Sequence, residues 1–401
     1  MPLLESYAEF EGLHWETGSV RNYLAYRGIK APHTGQPWTE ALLMGVSGGA
    51  VMGYFSFAYE GYDPHVSLLT RNTFDPFDTM LQRLGIAQTV LQSGSQAKGL
   101  HNLVDTLESG VPAIVWADAY SLPYNSLPFD EGMWAMMPIL VYGYDEKAGV
   151  VSIADRSRVP LTITPDELEA ARSRVKKTKY RVVTLDPPNP DKLRSAVQLG
   201  LWDCIKLYTE KPPKGSAVNF GFKAYARWAE LLTRPGAKLS WAKVFPPGRE
   251  MYSGLTTAFD HIAIFGKDGG AERGLFAEFL EEAATILEIP ELSGVADQFR
   301  LSSTAWDQLG ASLLPDNKPS LKETRQLMLK RHQLFLNKGN AALADIREID
   351  QLLAEIKSRS STEFPIDRSE IEPFMAGLSE QILDISDLEK NAITDLKAAL
   401  G

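Results

Sequence analysis

The side chains able to handle a proton or grip a polar substrate are concentrated in the first half of the chain. They are His14, Glu40, Asp118 with Tyr120 and Tyr124, and Asp155 beside Arg156. An imidazole, two aspartates and a phenol are the groups that general acid–base chemistry uses when a substrate is held in a reactive pose. His14, Asp118, Tyr124 and Asp155 are therefore the candidate catalytic residues. Trp15, Glu40, Tyr120, Trp134, Met137 and Arg156 are the candidate substrate contacts. Each also has an ordinary structural reading: helix-start packing for His14 and Trp15, a cap for Glu40, a buried polar network for Asp118, an ion pair for Asp155–Arg156, and core packing for Trp134, Met136 and Met137.

Other chemistries find less support. The six histidines are scattered and the chain has one cysteine, Cys204. A tetrahedral zinc site, which needs about four ligands usually arranged in short-range pairs, is not expected. Cys204 lies in the apolar run LGLWDCIKLY and reads as a core thiol. The segment RSRVKKTKYR (172–181) concentrates positive charge in a chain of formal charge -10. Arg172, Arg174, Lys176, Lys177 and Lys179 form either a solvated surface or a dock for an acidic partner. His261 and Arg273 flank GKDGG, whose backbone could cradle an anion or simply form a loop.

These groups must be placed by regular elements. ETGSVRNYLAYRG (16–28) has Val20, Tyr23, Leu24 and the stem of Arg27 on one face and ends at Gly28, which predicts a helix. Thr39 caps a second helix beginning EALLMG. The run 110–118 reads as a buried strand, and 137–145 with 149–157 as a strand pair turning near Asp145. Thr164, Pro165 and Glu167 open a further helix through a capping box. The break LDPPNPDK gives regions of 1–187, mixed α+β; 188–316, mainly helical, with helices at 223–234 and 274–287; and 317–401, helical throughout. In the last, Leu343, Ile346, Ile349, Leu353 and Ile356 form one stripe and Leu378, Ile382, Leu383, Ile385 and Leu388 another. Antiparallel packing of these helices is expected, with a surface for homo- or hetero-oligomerisation.

The acidic balance, 41 Lys+Arg against 51 Asp+Glu, argues against general nucleic-acid binding. No run approaches the roughly 20 apolar residues of a membrane span. The opening MPLLESYAEFEG does not read as a secretion signal, and a single thiol suits a reducing compartment; the cytoplasm is the expected setting.

Several stretches in order resemble the butirosin biosynthesis protein H family. They are GLHW (12–15), Glu40 ahead of a Gly-rich turn, GVPAIVWADAYSLPY (110–124), ILVYGYDE (139–146), VSIAD (151–155), GGAERGLFAEFLEEAA (269–284) and TAWDQL (304–309). The resemblance implies a papain-like α+β domain followed by a helical domain. It also implies transfer of an aminoacyl group from the phosphopantetheine thioester of a carrier protein to an amine, with no bound cofactor. That reaction uses a cysteine, a histidine base and an aspartate orienter. Here Trp15 stands in the place of the cysteine, and Met136, Met137 and Pro138 stand where the histidine is expected. Asp155 alone matches. Two readings follow: an enzyme acting on a carrier-tethered amino-acid derivative without a cysteine nucleophile, and a non-catalytic binding module in which Trp15 fills the former nucleophile site.

Overall fold

The computed structural model describes residues 3–127, 133–174, 177, 179–265 and 269–401. Lys176 and the GKD of GKDGG lie outside the described residues. In chain order the elements are α1 (Glu16–Tyr26), α2 (Glu40–Val46), β1 (Ala50–Phe57), β2 (His65–Arg71), α3 (Pro76–Leu84), β3 (Gln88–Leu91), α4 (Gln96–Glu108), β4 (Ala113–Asp118), β5 (Met136–Asp145), β6 (Val150–Ala154), β7 (Leu161–Ile163), α5 (Pro165–Ser173) and β8 (Val182–Leu185). There follow α6 (Leu193–Thr209), α7 (Gly221–Thr233), α8 (Trp241–Val244), α9 (Arg249–Phe259), α10 (Arg273–Leu287), α11 (Glu291–Leu313), α12 (Pro319–Lys338), α13 (Leu343–Arg359) and α14 (Arg368–Leu400). The protein is α+β.

Two compact units emerge, and they are interleaved along the chain. The first is residues 1–43, 77–193 and 331–348; the second is 44–76, 194–330 and 349–401. The three consecutive regions expected from the sequence are not the compact units. The strand pair β1–β2 joins the helical unit, and the C-terminal half of α12 joins the sheet.

The first unit is built on a six-stranded sheet in the order β3-β8-β4-β5-β6-β7, with every pair antiparallel. Its central strands carry Ile114, Val115, Ile139, Leu140 and Val141, all shielded from water, as β-branched and aliphatic residues buried on both faces should be. The β5–β6 hairpin turns where expected, because the Asp145 carboxylate accepts from the N–H groups of Lys147 and Ala148, an Asx turn. α5 begins with the full Thr164–Glu167 capping box.

α1 packs against β5, and Ser19 Oγ donates to the carbonyl of Pro138. Its entry depends on a close crossing: a Cβ on Gly12 would stand 2.4 Å from the Gly18 carbonyl oxygen. Only hydrogen fits there, and this contact sets the path of Leu13, His14 and Trp15 into the helix. Beyond Gly28, at φ +65°, the helix is closed by the Ile29 N–H on the Leu24 carbonyl.

The second unit is mainly helical. α14 packs against α7 and α11, and α10 against α11. The expectation that helices of the last region pack on one another is corrected: the α14 stripe of Leu378, Ile382 and Ile385 is buried against α7 and α11, while Leu383 faces solvent. Ile349 is likewise buried, so it offers no oligomerisation surface.

At the centre of this unit, the Glu389 carboxylate accepts from Arg273 Nε (2.8 Å), Ser302 Oγ (2.6 Å), Trp306 Nε1 (3.0 Å), Tyr208 (2.5 Å) and Tyr225 (2.6 Å). Arg273 also donates to the carbonyls of Val51, Thr70 and Ala271. Burial works against the Glu389 charge, but Arg273 and the surrounding donors outweigh it and hold the carboxyl at about 2. The anion-cradle reading of GKDGG is corrected on the residues described. The Gly270 N–H donates to Asp307 Oδ1 at 2.7 Å, and Arg273 is spent on Glu389.

Candidate functional site

The site lies in the first unit, at the head of α1 and the ends of β4, β5 and β6. Trp15 occupies the N-cap position of α1 in a helical conformation, with no side-chain cap. The capping groups come instead from Glu40, which opens α2. Its carboxylate accepts from the N–H groups of Leu13 (2.6 Å) and His14 (2.9 Å), from Thr17 Oγ1 (2.8 Å), and lies 3.1 Å from His14 Nδ1. Burial alone would raise the Glu40 carboxyl; the nearby His14 charge and these donors reverse that and hold it at about 2. Glu40, expected as a substrate contact, is committed to the head of α1, and its anion there also suits the helix dipole.

On the Trp15 indole rests a guanidinium. Arg156 Cζ is 4.0 Å from the ring centroid and 5.4 Å from the Phe335 ring. The position is enforced from behind. Arg156 Nε donates to Asp155 Oδ1 at 3.0 Å, and its NH2 reaches Asp155 Oδ2 at 3.3 Å and Asn125 Oδ1 at 2.5 Å. Arg156 takes φ +49°, a left-handed conformation that costs energy for a side chain with a Cβ. The cost is met by two ion-pair hydrogen bonds and a cation–π contact.

Asp155 accepts a further bond from Tyr124 at 3.0 Å. Burial, then the adjacent Asp155 charge, push the Tyr124 phenol well above its ordinary range, so it stays a neutral donor. Asn125 is held in turn, its carbonyl accepting from Arg331 at 3.0 Å. Asn125, Arg331 and Phe335 went unremarked in the sequence. The last two approach from α12, far along the chain, and only their spacing of four marks one helix face.

Asp118 closes β4 in another closed network. Its carboxylate accepts from Ser121 Oγ (2.7 Å), the Ala135 N–H (2.9 Å) and the Tyr120 N–H (3.4 Å), with Arg174 NH1 at 3.3 Å. It is fully buried, and it locks the turn after β4 to the start of β5, where Asp118 faces Met136 and Ala117 faces Met137. A role as an accessible acid or base is corrected by this enclosure. Tyr120 and Met137 stand half-buried nearby. Trp134 is 65% exposed, so it neither packs in the core nor lines a slot.

The basic segment divides. Arg172 is buried, donates to the Arg181 carbonyl and lies over the Tyr180 ring; burial pulls its guanidinium down to about 10, against the pull of Glu169. Arg174 is tied to Asp118 and the Met133 carbonyl. Neither is available for docking. Lys177 is exposed and Lys179 half-exposed. Cys204, in the second unit, is buried and donates to the Ala50 carbonyl, and burial raises its thiol far above the range of a reactive cysteine.

Among the described residues no group of His, Cys, Asp and Glu is arranged to hold a metal ion, and no helix is long and apolar enough to cross a membrane. What remains is an α+β unit whose first helix meets a β-hairpin, with a tryptophan–arginine stack at the junction and an aspartate beneath it. Residues 14–156 match the family model described as butirosin biosynthesis protein H, N-terminal, and residues 166–335 match a domain of unknown function (DUF4872). The chain belongs to the butirosin biosynthesis protein H-like family. No curated protein matches it.

Proposed function

We propose that this protein serves butirosin-type antibiotic biosynthesis as a binding module for a carrier-tethered aminoacyl group, without taking that group onto itself. A papain-like first unit is part of the proposal. It is supported by a leading helix laid on β5 and an aspartate, Asp155, just beyond β6. The observation that carries the reading is the seating of Arg156 on Trp15. In a thiol transferase the aspartate orients an imidazole, which manages the proton of a thiolate. Here the Asp155 carboxylate is filled by Arg156 and Tyr124, and an indole occupies the head of the helix. An indole backed by a guanidinium already paired with Asp155 offers no nucleophile and suits contact with a tethered group better than attack on it. The exposed Lys177 and half-exposed Lys179 supply further positive charge, and a cytoplasmic setting fits the single buried thiol.

Mixing the purified protein with aminoacylated, phosphopantetheinylated carrier proteins encoded beside it tests this. Native mass spectrometry should find a complex, while denaturing mass spectrometry finds no acyl adduct and no released product. Trp15→Cys should acquire no acyl adduct, because Asp155 is taken by Arg156 and Tyr124 and orients no imidazole. Turnover by the unaltered protein alone would overturn the reading.

One observation favours a second reading, in which the protein acts on the tethered substrate without a covalent intermediate. The imidazole of His14 is oriented by an ionised Glu40, as a general base is oriented. That reading requires product to form with the unaltered protein, and its rate to fall at least about a hundredfold in His14→Gln.

A further inference from the structure

β3 is an edge strand. It pairs with β8 on one side and, among the described residues, with no strand on the other. Natural proteins protect such edges with charge, proline, a bulge or a covering segment, because unpaired backbone N–H and C=O groups template another strand. The residues of β3, Gln-Thr-Val-Leu, carry no charge and no proline, and their register with β8 runs without a shift from Gln88↔Leu185 to Leu91↔Val182. All four are exposed, Val90 and Leu91 at 39% each. Threonine, valine and leucine at an open edge combine strand propensity with apolar surface.

The charge around this edge is one-sided. No Asp or Glu occurs from Ala87 through Val104, nor from Ala170 through Leu185. Lys98 is exposed in the first turn of α4. At the Leu91 end the Gln92 amide donates to the Lys177 carbonyl at 2.9 Å, which fixes Lys177 beside the strand. Lys179 follows, whereas Arg181 turns inward over the Trp116 ring of β4, its Cζ 4.8 Å from the centroid and its NH2 3.5 Å from Gln88 Oε1. At the strand's other end stands Asp186, whose N–H donates to the Ala87 carbonyl.

We propose that β3 accepts an extended, acidic peptide segment of a partner protein as a seventh strand of the sheet. Backbone hydrogen bonds would supply affinity, and the lysines would select acidic sequence. A second copy suits the edge less well than an acidic segment: it would bring one acid, Asp186, to meet Lys177 and Lys179, and two lysines of its own besides. The strand shares no residue with the Trp15–Arg156 stack; Lys177 and Lys179 are cations that the proposed function also invokes, and protection of residues 88–91, which that function does not require, tells the two apart.

The test uses the full chain and two fluorescein-labelled peptides, Asp-Glu-Asp-Val-Thr-Val-Thr-Val and the same sequence with its three acids replaced by lysine. Fluorescence anisotropy should register binding of the acidic peptide only, weakened by added salt and about tenfold weaker in the double variant Lys177→Glu, Lys179→Glu. Hydrogen exchange on the unaltered chain should show amides of residues 88–91 protected by the acidic peptide. Equal binding of both peptides, or protection elsewhere with 88–91 unchanged, would overturn the proposal. So would light scattering that shows a dimer with 88–91 already protected in the absence of peptide.

Discussion

At the scale of single residues, the site is a chain of commitments in which each polar group is held by the next. Trp15 supports Arg156, Arg156 neutralises Asp155, and Asp155 holds Tyr124. Removing one charge from a nearly buried pair leaves its partner uncompensated, a loss of roughly 3–5 kcal/mol for fully buried pairs and less where one member touches solvent. Arg156 retains a little exposure. Asp155→Asn is therefore expected to cost about 2–3 kcal/mol in urea unfolding. A loss below about 0.5 kcal/mol would show that Arg156 is not held by this carboxylate. The sequence displayed Trp15, Asp155 and Arg156 as candidates but could not reveal that they neutralise one another. Adjacent Asp and Arg can point to opposite sides of a chain; here the positive φ of Arg156 folds its guanidinium back onto its neighbour.

At the scale of elements, the head of α1 depends on two features far apart in type. One is the electrostatic cap from Glu40, delivered by α2. The other is the close crossing of Gly12 over Gly18, where a methyl group would meet backbone atoms that cannot give. Gly12→Ala should destabilise the first unit by about 1–3 kcal/mol, the usual cost of overpacking, and should displace Trp15. A chemical denaturation midpoint equal to that of the unaltered protein would refute the tight crossing. Most elements were legible because local rules govern them. The Thr164–Glu167 box, the Gly28 stop and the Asp145 turn each act within a few residues. The edge strand β3 leaves no mark in the sequence, since four residues without burial give no periodic signal. The α14 partners are not legible in sequence, because an apolar stripe states that a helix is covered, not by which neighbour.

At the scale of the whole molecule, each unit contains a buried carboxylate held ionised by its donors, Glu40 in the first and Glu389 in the second. Both have folded-state values of about 2 against an ordinary 4.5. The unfolded chain therefore takes up the proton first as pH falls. The stability these groups contribute is present above about pH 4.5 and is lost as the pH approaches 2, at most roughly 3 kcal/mol for each. Urea midpoints measured from pH 7 to pH 2.5 should hold steady to about pH 5 and then fall for both units. A flat profile down to pH 3 would contradict the assignment.

The sequence by itself determined the α+β class and the caps and turns of most elements, since each follows from residue identity or from spacing within one element. It also made visible the resemblance in which Trp15 and Met136–Pro138 are departures. Only the tertiary structure decided what surrounds Trp15. Arg156 rests on Trp15 and is itself met by Asn125 and Phe335 from separate segments, with Arg331 holding Asn125, and the two units take their parts from interleaved stretches of chain. The physical reason is common to both. Charge pairing, aromatic stacking and sheet order act through space between residues distant along the chain, and no local pattern encodes which distant partner will arrive.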